Sequence, residues 1–94
     1  MITAEVESAV HELLHERGLK QSPKEKLGDF VARGLGITSK QANAFLAALN
    51  DGNSVGDAQL IAGIESNIPE KGLLEEIART IGATLGKMAA RLKA

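Results

Sequence analysis

The sequence predicts an all-α fold, a compact orthogonal bundle of about five helices with a long C-terminal one. Three observations carry this. Ala, Leu, Glu, Lys and Gln dominate the segments, while Gly, Asn, Ser and Pro gather between them. Capping patterns open several of the segments. No run alternates with period two and carries β-branched or aromatic residues, so no sheet is expected.

The first helix is expected over about Ala4 to Arg17, with Ile2, Val6, Val10, Leu13 and Leu14 on one face and Gly18 as its left-handed stop. Ser22-Pro23-Lys24-Glu25 is expected to open the second, with Ser at N-cap, Pro at N1 and a reciprocal Glu at N3. Its apolar positions are Leu27, Phe30, Val31 and Leu35, and it should end at Gly34 to Gly36. Thr38-Ser39-Lys40-Gln41 forms another capping box at the start of the third helix. There Ala42, Phe45, Leu46 and Leu49 make the buried stripe, closed by Asn50-Asp51-Gly52. The fourth helix is the weakest signal, capped by Ser54, with Asp57 in its first turn and Leu60, Ile61 and Ile64 apolar.

Asn67-Ile68-Pro69-Glu70 should start the fifth helix, which can run to the C-terminus, about 36 Å at about 1.5 Å per residue. Leu73, Ile77, Ile81, Leu85, Met88 and Leu92 form its large apolar face. Beside them Ala78, Gly82, Gly86 and Ala90 form a stripe of small residues. Two glycines inside a helix each cost about 1 kcal/mol relative to Ala, which a close backbone contact would offset. Either another helix of the same chain lies on that groove, or the stripe is the interface of a homodimer.

At 94 residues with 44% hydrophobic content, the chain reads as one domain, 1–94, with one modest core. The absence of cysteine excludes a disulfide scaffold, a thiol nucleophile and every Cys-based zinc module. The longest uncharged run, Gln41 to Asn50, is half the length of a membrane-spanning helix. Met-Ile-Thr-Ala-Glu lacks the basic and apolar regions of a signal peptide, so a cytoplasmic domain is expected.

The net charge of −1 conceals a sorted chain. Residues 1–16 hold only acidic charge and 42–70 likewise. Between them Arg17, Lys20, Lys24, Lys26, Arg33 and Lys40 face only Glu25 and Asp29. Such a basic stretch is either a solvated face, an answer to the acidic segments of the same chain, or the footprint of a nucleic-acid site.

That stretch overlaps a pattern of two helices and a tight turn. Gly28 to Ala47 resembles the helix-turn-helix core of bacterial repressors, with Ala32 at the small crossing position and Gly36 at the turn. Val31, Leu35, Ile37 and Phe45 stand at its buried positions, and Ala42 where Val or Ile is usual. A small residue lets the helices cross closely, and glycine takes the positive φ of the turn. The resemblance implies double-stranded DNA as partner, with Thr38, Ser39, Lys40, Gln41 and Asn43 facing it from the start of the third helix. Gln41 and Asn43 would suit adenine, Lys40 guanine or phosphate, and Lys24, Lys26 and Arg33 the backbone. The stretch from Val31 to Ala42 is also similar to the helical start of histone-like HU proteins, where such helices build a dimer core; their β-arms have no counterpart here. A pI near 6.1 is low beside the values above about 9 usual for DNA-binding domains. The alternative is therefore a helical protein-interaction or self-assembly domain that touches no nucleic acid.

His11-Glu12-Leu13-Leu14-His15 matches H-E-x-x-H and resembles the zincin core, with Glu75 or Glu76 as a distant third ligand. Arg17, however, stands where that family has an apolar or small residue, and no strand is available to hold a substrate. Both histidines fall on the rim of the apolar stripe, as residues bordering a core would.

Asp51 to Asp57 begins like a calcium loop but lacks the Glu at position twelve, which is Ala62. Gly82 to Met88 is one residue short of a phosphate loop. The reading assigns no catalytic residue, metal, cofactor, small-molecule substrate or membrane partner. It leaves a non-catalytic binding module whose partners are DNA or a second copy.

Overall fold

Alternation of apolar and polar residues at helical spacing sets five helices in the computed structural model, which describes residues 2–93. They are α1 (Ala4–Glu16), α2 (Leu27–Leu35), α3 (Ser39–Asn50), α4 (Val55–Ala62) and α5 (Lys71–Lys93). No strand occurs among the described residues. The fold is an all-α bundle with a long C-terminal helix.

Two ion pairs define how α1 and α5 meet. Arg17, just after α1, pairs with Glu76 near the start of α5, and Glu5 at the start of α1 pairs with Arg91 near the end of α5. The helices are therefore antiparallel. Val6, Val10 and Leu14 repeat every fourth residue on α1 and are buried with Leu73, Leu74, Ile77 and Ile81 of α5. Burial of these aliphatic side chains, each on the order of 1.5–3 kcal/mol, outweighs the exposed pairs at the two ends.

α3 lies at the centre, packed on α2, α4 and α5. Phe45 and Ala42 have no exposed surface, and Leu46, Ala48 and Leu49 are buried beside them. α2 reaches α3 through Gly36, whose φ of +71° ends the helix in the left-handed region open to glycine. Ile37 then donates its amide to the Ala32 carbonyl, and Thr38 caps α3. Where α2 and α3 lie closest, a Cβ at Gly28 would overlap the Asn43 carboxamide.

Two boundaries and one apolar position differ from the sequence expectation. The Ser22 pattern does not start a helix: the chain turns at Pro23–Lys24, with the Glu25 amide donating to the Ser22 carbonyl at 3.0 Å, and α2 begins at Leu27. Glu25 still accepts from the Ser22 amide, and it is also held by Arg33, eight residues on. A continuous helix would separate the two by about 12 Å along its axis, so the pair needs the chain to turn back first. α5 starts at Lys71, after the Pro69–Glu70 turn. Leu92, assigned to the apolar face of α5, is 88% exposed. Glu5 of α1 already faces Arg91, so the last turn of α5 runs past the end of its partner.

The Arg33 fork, with Nη2 at 2.9 Å and Nε at 3.1 Å from the Glu25 carboxylate, holds that carboxyl below its usual range, helped by the Ser22 amide; Glu25 in turn raises the Arg33 pKa. Because the folded-state pKa of Glu25 is lowered, the pair contributes stability above about pH 4–5, where the unfolded carboxyl is ionised, and loses it as pH falls through the folded value. Glu25→Gln should therefore lower stability near neutrality and flatten the acid side of the stability profile. Urea denaturation of both proteins across the acid range measures this; parallel profiles would contradict it.

Candidate nucleic-acid interface

The first turn of α3 is built by its capping box. Thr38 Oγ1 accepts from the Gln41 amide and Gln41 Oε1 accepts from the Thr38 amide, both at 3.0 Å. Two of the otherwise unpartnered amides of a helix start are thereby satisfied. Those of Ser39 and Lys40 still point out of the helix end, where the macrodipole places partial positive charge. Thr38, Ser39 and Lys40 are exposed, and Lys40 enters no ion pair among the described residues.

Gln41 is committed elsewhere. Its oxygen serves the box and its Nε2 donates to the Gly63 carbonyl at 3.0 Å, tying the α4–α5 connection over the start of α3. With a lone pair and a proton already engaged, the Gln41 carboxamide is held in place rather than free to turn toward adenine. Asn43, one turn on from Ser39 and Lys40, is exposed but lies over Gly28.

Arg33 is also withdrawn from the basic set. Besides both oxygens of Glu25, it reaches the Lys20 carbonyl and places its guanidinium 5.3 Å from the Phe30 ring centroid. It clamps the α1–α2 connection onto α2. Lys24 and Lys26 are exposed and outside every ion pair among the described residues. The fold brings Lys26 and Asn43 to one depression, which also holds Glu7 and Glu25. The outward surface that remains comprises Ser39, Lys40 and Asn43 of α3, with Lys24 and Lys26 before α2. Ala47, one turn beyond Asn43, is exposed on the same side. The sequence reading missed it because an alanine carries no polar signal.

The H-E-x-x-H residues lie on α1, with His11, Glu12 and His15 exposed. The His11 ring sits 5.7 Å from that of Phe30, bordering the core. Glu76 is taken by Arg17, while Glu75 lines a depression with Ser54, Val55 and Arg79. No group of three or more metal-ligating side chains occurs among the described residues.

On α5, Ala78 is half-buried while Gly82, Gly86 and Ala90 are exposed. No atom comes within 4 Å of a Cβ built on Gly82 or Gly86, so no helix of the same chain occupies that groove. No helix is long and apolar enough to cross a membrane among the described residues. No family model, curated protein or solved structure matches the chain.

In the isolated chain, Gly82→Ala and Gly86→Ala meet open space and gain helix propensity. Each should stabilise the protein by about 1 kcal/mol in chemical denaturation at low concentration. A loss of stability instead would show that this face is covered in solution.

Proposed function

We propose that the chain is a non-catalytic helical binding module whose specific role is to present the start of α3 to double-stranded DNA. The observation that carries this is the exposure of Thr38, Ser39 and Lys40 on the first turn of a helix joined by a short glycine turn to α2. Helix N-termini bind phosphate through their open amides and dipole, and Lys40 adds a full charge there. Lys24 and Lys26 supply flanking phosphate contacts. Base reading falls to Asn43, whose carboxamide must turn off Gly28 to reach adenine, and to Ala47 against a thymine methyl. Gln41 and Arg33 position this surface and contact no DNA.

Dimerisation through α5 belongs to the same proposal. The stripe Ala78, Gly82, Gly86, Ala90 reads the same from either end, so a two-fold antiparallel contact sets Gly82 against Gly86 and Ala78 against Ala90. The same open stripe also favours the second reading, a self-assembling domain without nucleic acid.

Fluorescence anisotropy with a short random duplex, titrated with salt, tests the DNA proposal. Three unpaired lysines per chain predict a log–log salt slope of about −3, and Lys40→Ala should reduce its magnitude by about one. Absence of binding at low salt would overturn the reading, because phosphate contacts are strongest there.

A further inference from the structure

α4 reverses the usual sorting of side chains. Gln59 is buried, 8% exposed, while its neighbours Leu60 and Ile61 are 81% and 60% exposed. Scattered apolar residues on a surface are ordinary; a buried amide beside two outward aliphatics on one short helix is not. The setting is fixed by hydrogen bonds. Gln59 Nε2 donates to the Glu65 carbonyl at 3.1 Å and Gln41 Nε2 to the Gly63 carbonyl at 3.0 Å, so α4 cannot roll to bury Leu60 and Ile61 without losing the first of these. Asp57 lies one turn before both aliphatics on the same outward face, and Glu65 follows the helix. Both are exposed and neither enters an ion pair among the described residues. From Ala42 to Glu70 the sequence holds four acidic residues and no Lys or Arg.

The opposite chemistry stands on the last turns of α5. Leu92 is the remaining large exposed apolar residue, 88% open on the last turn of α5. From Gly82 onward the sequence carries Lys87, Arg91 and Lys93 and no acidic residue, with Arg91 also paired to Glu5. The basic stretch 17–41 offers no such companion, because its large apolar side chains Leu27, Phe30, Val31 and Leu35 are buried and Leu19 and Ile37 are half-buried against the core.

We infer that the α4 face is a docking surface for a second copy of this chain, which seats the end of its α5 there with Leu92 against Leu60 and Ile61. Charge complementarity selects this occupant: a basic helix end with one open leucine meets an acidic rim around two open aliphatics. One contact covers all three large exposed apolar residues among the described residues. It joins two different surfaces, so it closes as a reciprocal pair or a ring, or else extends into a filament. It is independent of the DNA proposal and does not use the Gly82–Gly86 stripe. Its size is well below the roughly 800 Å² per partner of a stable complex, so the association is weak and concentration-dependent.

Sedimentation velocity up to about 1 mM protein, at low and high salt, tests it. Wild type should self-associate and weaken with salt. Leu92→Ser, and separately Leu60→Ser with Ile61→Ser, should each raise the dissociation constant at least tenfold. These positions are exposed, so circular dichroism and thermal unfolding should match wild type. An equimolar mixture of the two variants retains one intact contact and should associate more tightly than either alone. A wild type that stays monomeric throughout, variants that associate as wild type does, or a mixture no better than its components would each overturn the inference. Loss of association only on Gly82→Leu would assign self-association to the small-residue stripe instead.

Discussion

The close approach that alanine allows on α3 governs the rest of the structure. Ala42 and Ala48 are buried on that helix, and Ala58 has no exposed surface on α4. Interaxial distance follows the size of the side chains at the contact, and alanine sets it at the short end of the range. α4 packs extensively on α3, and Gln41 reaches Gly63 across the pair. A larger residue at Ala48 would force these helices apart, as over-packing does in any dense core. The first turn of α3, the α4–α5 connection and the outward setting of Leu60 and Ile61 would shift together. The candidate DNA surface and the candidate docking surface thus depend on the same few methyl groups.

A second constraint is competition for polar groups. A small domain has few long polar side chains, and each can satisfy one demand. Gln41 completes a cap and ties down a loop, so it is lost to base reading. Arg33 holds Glu25, the Lys20 carbonyl and the Phe30 ring, so it is lost to phosphate. What remains for DNA is a sparse set of lysines around a helix start, on a molecule with net charge −1. In that proposal about three phosphate contacts per chain carry the non-specific affinity, which is therefore confined to low salt, and discrimination falls to geometry at Asn43 and Ala47 rather than to charge.

The same competition explains how far the fold was legible. Periodicity placed α1, α3 and the buried half of α5 because their apolar residues recur every three to four positions over several turns. Thr38-Ser39-Lys40-Gln41 and Ser22-Pro23-Lys24-Glu25 are equivalent as local patterns, yet only the first caps a helix. In the second the Ser22 amide still donates to Glu25, but the chain closes a turn there and α2 begins two residues on; Arg33 braces the same carboxylate from beyond the turn, a contact that leaves no local trace. Gln41 and Arg33 read as DNA contacts because their chemistry suits nucleic acid, while the partners that occupy them are distant in sequence. The exposure of Lys40, Ser39 and Thr38 was legible because capping fixes a helix start in space, and residues there have few neighbours to compete for them.

α4 shows how a surface feature can originate in the interior. The connection from Gly63 to Pro69 passes the start of α3, and its Gly63 and Glu65 carbonyls take side-chain donors. Glutamines at 41 and 59 provide them, so position 59 must face inward. With Val55, Ala58, Gln59 and Ala62 turned toward α3, the step of about 100° per residue leaves Asp57, Leu60 and Ile61 no direction but outward. Replacing Leu60 and Ile61 by polar residues would leave every one of those hydrogen bonds intact, since neither side chain takes part. The fold therefore accounts for the direction of these side chains and not for their apolar identity, and the identity is what a contact with another molecule would explain.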